Sequence, residues 1–158
     1  MQIGKHRVTS KFLAVMQCSE IINIGLIYLR QSDYDEALSY FKKSLLLKEQ
    51  LGNRWGISFT LSNLGWLYLL KGETEKSQQV YQRKLENDKE IENKKGISYA
   101  LTGLGNIYFR KGDPEQAMEY HKQSLKIREQ VGDIRGIASS RSNIANIHEQ
   151  KIEYDRAL

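Results

Sequence analysis

Apolar residues recur along the chain at the three-and-four spacing of amphipathic helices. In the clearest stretch, from about Asn53 to Leu70, this spacing places Ile57, Leu61, Leu64 and Leu67 together. The apolar set is wide enough to predict a helix with a broad buried side. We call this predicted helix the A helix of its unit.

The A helix is expected to end at Gly72, because glycine readily takes the left-handed conformation that terminates a helix. A second apolar series follows and predicts a B helix. An acidic residue marks its start in each unit: Asp33, Glu73, Asp113 and Glu153. Asp33 and Glu36 resemble a capping box, and Pro114 stands at a first helical position. We expect helices of about 16 to 19 residues, roughly 25 Å long.

The whole pattern returns every forty residues. The matching stretches are 16–32, 56–72, 96–112 and 136–152, although Ser32 and Ile152 replace the final glycine. Self-similarity of this length is typical of stacked helical units. We therefore predict an all-α solenoid of stacked antiparallel helix pairs, with about three and a half repeats.

The repeat predicts one array over residues 1–158, with units at about 13–52, 53–92, 93–132 and 133–158. The last unit stops within its B helix. Solenoids require a polar cap over the last core face, and this sequence supplies none. We therefore expect a fragment of a longer protein, whose exposed C-terminal side is a site of contact between chains.

Small and ring-bearing residues recur at fixed offsets within each unit. The sets are Gly25, Tyr28, Ala37 and Phe41; Gly65, Tyr68, Ser77 and Tyr81; and Gly105, Tyr108, Ala117 and His121. This pattern resembles the tetratricopeptide repeat, whose usual unit has about 34 residues. The longer unit resembles Pins/LGN-type scaffold proteins and, less closely, kinesin light chain. HEAT and armadillo repeats have a similar length but not these offsets.

The resemblance implies a right-handed superhelix with a concave groove that is lined by the A helices. The residues that it places toward this groove are Ser19, Ile22, Asn23, Leu26, Leu29, Arg30, Phe59, Ser62, Asn63, Trp66, Leu69, Leu70, Tyr99, Thr102, Gly103, Asn106, Phe109, Arg110, Ser139, Ser142, Asn143, Asn146, Glu149 and Gln150. The candidates for peptide binding among them are Asn23, Leu26, Arg30, Phe59, Asn63, Trp66, Tyr99, Asn106, Phe109, Arg110, Asn143 and Asn146.

The amides and rings of this set suit an extended peptide, because amides both donate and accept hydrogen bonds and rings offer stiff apolar contact. Asn23, Asn63 and Asn143 share one position, which Gly103 interrupts in the third unit. The resemblance implies contacts from these asparagines to ligand backbone. Equally open is that they satisfy neighbouring helices, and that Trp66 packs between repeats.

Composition restricts the class of protein. The chain has 24 basic and 19 acidic residues and a net charge of +5, which mildly favours an acidic partner, although most charges suit solvated helix faces. No apolar run reaches the roughly 18 residues of a membrane span, and no signal-peptide pattern precedes the repeats. Cys18 is the single cysteine, so we expect a buried thiol and a reducing, cytoplasmic location.

No catalytic, metal or cofactor motif is complete. His148 and Glu149 begin a zinc-protease motif, but Ile152 stands where its second histidine belongs. His121 and His148 occupy ring positions of their units, which favours packing. We therefore expect no enzyme activity, no metal and no cofactor.

A peptide-binding adaptor or sensor module, regulating or localising an effector domain, is the function that this sequence favours. The alternative is a structural array that associates with itself, end to end or by swapping. RNA binding ranks third, because helical-repeat RNA readers need a regular base-reading pair in each repeat. The dicarboxylate clamp of chaperone-binding repeats is not expected, since only Asn63 matches its residues.

Overall fold

The computed structural model describes residues 18–157, apart from the side chains of residues 153–155 and 157. Residues 18–30 are helical and form α1 in the described part of the chain. The next helices are α2 (Tyr34–Gln50), α3 (Arg54–Leu70), α4 (Thr74–Glu90), α5 (Lys94–Arg110), α6 (Pro114–Val131) and α7 (Ile134–Ala157). Helices α1, α3, α5 and α7 are the A helices, and α2, α4 and α6 are the B helices.

The turns between helices each contain one residue in the left-handed region. That residue is Gly52, Gly72, Gly112 or Gly132 in four turns, and Ser32 or Glu92 in the other two. The predicted helix ends at Gly72 and Gly112 are confirmed. Ser32 (φ 62°) and Glu92 (φ 54°) adopt the same backbone shape without glycine, at a cost of about 1 kcal/mol each.

Helix α7 continues past the position of the expected fourth turn. The predicted start of a B helix at Glu153 is wrong, because α7 extends unbroken from Ile134 to Ala157. Ile152 stands where Gly72 and Gly112 end the earlier A helices. A β-branched side chain strongly disfavours the left-handed backbone, so nothing terminates the helix there.

The B helices begin at the predicted acidic residues. Asp33 accepts a hydrogen bond from the Glu36 backbone N–H at 3.4 Å, and Asp113 accepts one from Gln116 N–H at 2.9 Å. Glu73 also precedes a helix but makes no such side-chain bond. These bonds satisfy helix N–H groups that have no partner within the helix. The A helices are capped in the same way by Asn53, Asn93 and Asp133.

Small residues let the two helices of a unit approach each other closely. A Cβ atom at Gly25, Gly65 or Gly105 would lie 2.7, 2.7 or 2.8 Å from the ring of Phe41, Tyr81 or His121. The Ser77 hydroxyl also donates a 2.7 Å hydrogen bond to the Gly65 carbonyl. The predicted packing of ring against small residue is therefore confirmed in three units.

The helices stack in sequence order. Each helix from α2 to α6 contacts the next, and α3 also contacts α5 directly. One ion pair links each B helix to the A helix of the following unit or to the residue just after it, and the pairs recur every forty residues: Asp35 with Lys71, Glu75 with Lys111, and Glu115 with Lys151. The fold is the predicted all-α solenoid of stacked helix pairs.

Candidate functional site

One side of the inner A helices α3 and α5 remains accessible while most of the rest is packed, whereas α7 is exposed at further positions such as 138, 145 and 149. In α3 the accessible positions are 55, 59, 62, 63, 66 and 70, whereas Ile57, Leu61, Leu64 and Leu67 are buried. The corresponding accessible positions are 95, 99, 102, 106 and 110 in α5, and 135, 139, 142, 143, 146 and 150 in α7. We call this surface, with residues 19, 23, 26 and 30 of α1, the A-helix face.

Large rings on this face are unusually accessible. Phe59, Trp66 and Tyr99 are 53%, 47% and 50% exposed. Among the other predicted binding residues, Asn23, Arg30, Arg110 and Asn146 are exposed, and Leu26, Asn63, Asn106, Phe109 and Asn143 are half-buried. The structure thus brings rings, amides and two arginines onto one surface.

Three residues that were predicted to face the groove are buried instead. Ile22 and Leu69 belong to the core between the helices. Gly103 lies under the ring of Tyr81, where an added Cβ atom would stand 2.5 Å from a ring carbon. The interruption of the asparagine series therefore has a packing cause, since Tyr81 fills the space that an asparagine would need.

Sequence analysis missed one further turn of the A-helix face. Trp55 is 62% exposed, and Lys95 and Arg135 occupy the same position in the next two units. They lie four residues before Phe59, Tyr99 and position 139, so extending the helical spacing backwards by one turn would have found them. This turn adds a ring and two cations to one end of the surface.

Two predicted binding residues make hydrogen bonds to backbone. Asn63 Nδ2 donates to the Phe59 carbonyl at 2.9 Å, within α3. Arg110 donates to the Leu69 carbonyl at 2.9 Å, near the end of α3. The Asn63 amide oxygen has no hydrogen-bond partner among the described residues, so it is left available to accept one.

Buried cations lie beneath two of the exposed rings. Lys48 Nζ is 5.8 Å from the centre of the Phe59 ring and donates to Thr60 Oγ1 at 2.9 Å. The Arg128 guanidinium carbon is 5.4 Å from the Tyr99 ring centre. Burial lowers the pKa of both Lys48 and Arg128. A cation against the face of a ring is attracted to it, so these contacts hold the two rings in place.

Acidic residues are distributed unevenly between the two kinds of helix. Helices α3 and α5 contain no aspartate or glutamate, whereas α2, α4 and α6 each contain several. Within α3 and α5 the charged groups of the A-helix face are therefore all basic. Such a surface attracts negatively charged groups.

Other features of the described residues are structural in character. Cys18 is buried as predicted, and burial raises the pKa of its thiol. His121 is buried beneath Gly105, but the packing interpretation of His148 is wrong, because its side chain is exposed. Between residues 18 and 157 no group of three or more His, Cys, Asp or Glu side chains could hold a metal ion. None of the helices described is long and apolar enough to cross a membrane.

A cavity of about 550 Å³ lies on the opposite side, between the B helices α4 and α6. Its apolar lining is Leu85, Ile97, Leu101, Tyr120 and Ile127. Lys89 and Gln123, which also line the cavity, occupy the positions that match Glu49 and Arg83 in the preceding unit. Glu49 and Arg83 form an ion pair between α2 and α4, which Lys89 and Gln123 cannot form. This surface carries no ring as exposed as those of the A-helix face.

Solved structures share the fold at low sequence identity. Aspartyl phosphate phosphatase F from Bacillus subtilis matches with a TM-score of 0.83 at 12% identity, over 90% of this chain and 38% of that one. BtubC (BKLC) from P. vanneervenii matches with a TM-score of 0.78 at 15% identity, over 91% and 60%. The TPR2AB-domain:pHSP90 complex of yeast Sti1 matches with a TM-score of 0.74 at 20% identity, over 89% and 49%. The chain spans less than two thirds of each.

Sequence comparison gives the family directly. No curated protein matches the chain at a significant level. The finer resemblance to Pins/LGN-type scaffolds stays a prediction. A model of the tetratricopeptide repeat matches residues 15–90 and 96–158, nearly the whole length, and the chain therefore belongs to the tetratricopeptide repeat family.

Proposed function

We propose that the chain binds an extended segment of a partner protein along the A-helix face, in the concave groove that the family implies. The observation that carries this proposal is the row of half-exposed rings Phe59, Trp66 and Tyr99. Buried side chains hold two of these rings in position, which reduces the entropy lost when a ligand is bound. Large, stiff, ordered rings are typical of binding hot spots.

Polar groups on the same surface suit a peptide backbone. The half-buried amides of Asn63, Asn106 and Asn143 lie in three successive A helices. Amides can bond both the N–H and the C=O of an extended chain. Arg30 and Arg110 then favour an acidic partner, as does the absence of carboxylates from α3 and α5.

The proposed role is that of an adaptor or scaffold without catalytic activity. The Sti1 domain that shares this fold was solved as a complex with pHSP90, so the same architecture serves partner binding in that protein. A free cysteine is consistent with a cytoplasmic, reducing location. We extend the binding role, but not that particular partner, to this chain.

A pair of matched double variants tests the proposal. Asn63→Ala with Trp66→Ala removes an amide and a ring from the A-helix face. Leu46→Ala with Gln79→Ala removes comparable exposed groups from B helices. Peptides selected from a random library on the unmodified protein are then titrated against each variant by fluorescence anisotropy.

We expect the first variant to weaken binding about 30-fold or more, because loss of a hot-spot residue costs about 2 kcal/mol or more. The second should bind as the unmodified protein does. Melting curves of both should coincide with the original. Equal affinity of all three proteins would disprove the groove assignment, and light scattering during the titration separates peptide binding from self-association.

A further inference from the structure

The A and B helices begin with opposite charges. Acidic residues occupy the first turns of α2, α4 and α6. No acidic residue occurs in the first turn of α3, α5 or α7, where Lys95 and Arg135 lie instead. Because the amino end of a helix is partially positive, basic side chains there oppose the helix dipole. This end of the A-helix face therefore concentrates positive charge at a cost to folding.

These two cations are available to a ligand. Lys95 and Arg135 are exposed, and neither forms an ion pair within the described part of the chain. Arg54 differs, because it pairs with Glu90 at 2.9 Å beside the turn after α4. Lys94, which matches Arg54 in position, is also exposed and forms no ion pair among the described residues, so what distinguishes Lys95 and Arg135 is the stripe that they share with Tyr99 and position 139.

A third cation lies between their two helices. Arg128 is 2% exposed, stands against the Tyr99 ring of α5, and donates to the Gly136 carbonyl and Ser140 hydroxyl of α7 at 2.6 and 2.8 Å. Its Nε has no hydrogen-bond partner among the described residues. Burial lowers the pKa of this guanidinium, and Asp133 and Tyr99 offset part of that lowering. A cation in surroundings of low dielectric acts over a longer range than one in water.

The neighbouring α3 stripe has a different chemistry. Trp55, Phe59, Trp66 and Leu70 supply its accessible side chains, together with Ser62 and Asn63. No charged side chain belongs to this stripe. Packed helices lie about 10 Å apart, which an extended chain crosses in about three residues.

We propose that the groove recognises a polarised segment, in which an apolar or aromatic residue lies on α3 and acidic residues lie at the start of α5 and α7. Lys95 and Arg135 bind the carboxylates, and Tyr99, held by Arg128, lies one helical turn after Lys95 on α5. The partner is thus an acidic segment with an aromatic or large aliphatic residue about three to six positions from its carboxylates. This inference rests on the proposed function and adds the arrangement of the ligand.

Selection from a random dodecapeptide library tests the arrangement. The bait proteins are the full chain, Lys95→Glu with Arg135→Glu, Phe59→Ala with Trp66→Ala, and a control. The control, Lys122→Glu with Lys126→Glu, makes the same change of net charge on exposed positions of α6. Circular dichroism and melting curves establish that each bait is folded, and Lys95→Gln with Arg135→Gln replaces the charge reversal if that variant does not fold.

We expect the unmodified chain and the control to enrich peptides with Asp or Glu three to six positions from a large apolar residue. The charge reversal should lose the preference for acids, keep the preference for the apolar residue, and bind the selected acidic peptides about tenfold or more weakly. The ring variant should show the reverse. Each half of the pattern would then depend on its own subsite.

Other results are equally informative. Selected peptides without an acidic preference, or an equal loss in the α6 control, would overturn the inference while leaving groove binding intact. Failure to enrich any peptide that depends on Asn63 and Trp66 would instead count against the proposed function. Tight binding of random single-stranded RNA that the charge reversal abolishes would replace the acidic segment by nucleic acid, because rings and cations also suit stacked bases.

Discussion

The second unit differs from its two neighbours at matched positions on the inner side of its B helix. These positions hold Phe41, Ser44 and Lys48 in the first unit, Tyr81, Lys84 and Asp88 in the second, and His121, Ser124 and Arg128 in the third. All of these residues are buried, and each unit includes one cation. Only the second unit buries a carboxylate among them.

The comparison shows two ways of accommodating a buried cation. Lys84 Nζ bonds to Ser58 Oγ at 2.7 Å and to Asp88 Oδ2 at 2.5 Å, and Asn93 donates to the same carboxylate at 2.9 Å. Lys48 has a hydroxyl and a ring as its partners instead of a carboxylate. Burial lowers the pKa of both lysines, and Asp88 partly restores that of Lys84. The second unit is thus the most dependent on one polar contact.

Asp88→Ala should therefore have the largest effect on stability. It leaves Lys84 buried and without its counter-charge, at a cost of about 3–5 kcal/mol in the free energy of unfolding. Urea denaturation followed by circular dichroism measures this loss. Lys84→Met with Asp88→Leu removes both charges and should restore most of the stability. A loss under about 1 kcal/mol for Asp88→Ala would show that the pair is not needed.

His121, the ring residue of the third unit, makes the free energy of unfolding depend on pH. Burial, helped by Arg128, lowers the pKa of His121 to about 4, whereas an unfolded chain has about 6.5. Since the unfolded chain takes up the proton first, stability is complete above about pH 6.5 and falls as the pH drops toward about 4. The expected loss at that point is about 3 kcal/mol.

His121→Phe, which reproduces the ring of the first unit, should remove that acid-dependent loss. Unfolding free energies between roughly pH 8 and pH 4 test this difference. The exposed His148 supplies a matched variant, His148→Gln, with which the acid profile of His121→Phe is compared. If His121→Phe lost stability with falling pH just as the unmodified protein does, the acid-dependent loss could not be assigned to His121.

Gly103→Asn should have a smaller effect, again through the second unit. It introduces at this position the residue found at Asn63 and Asn143, but against the larger ring of Tyr81. Overpacking of this kind costs about 1–3 kcal/mol. Adding Tyr81→Leu removes the ring carbons that the new side chain would meet, so a double-mutant cycle should show favourable coupling between the two changes. Additive losses would show that the two positions are independent.

Lys48→Met should produce the smallest change. It replaces a desolvated ammonium by an apolar chain of similar length, so we expect a change within about 1 kcal/mol, with stabilisation as the favoured direction. We expect the melting temperature of Lys48→Met to stay close to that of the unmodified protein, whereas that of Asp88→Ala falls. A loss as large as that of Asp88→Ala would remove the distinction between the two units.

Offsets between small and ring-bearing residues were sufficient to predict the helix pairs and the approach of Gly65 to Tyr81. They could not show that Gly103 lies against Tyr81, the ring of the preceding unit, because that contact joins different units. Trp55, Lys95 and Arg135 were missed because the predicted groove positions began one helical turn later, at residues 59, 99 and 139. The uninterrupted α7 was missed because the forty-residue repeat predicts a turn before Glu153. The β-branched Ile152, which disfavours such a turn, was given too little weight.

The Tyr81–Gly103 contact also affects how segments of the array could be exchanged. Residues 53–92 form a repeat by alignment, but a tandem copy of them would set a duplicate of Asn63 against Tyr81. A graft with its ends after Gly65 and Gly105 would keep Tyr81 and Gly103 together. The portable module of this protein is therefore expected to have its ends inside the A helices, and not at the turns between units.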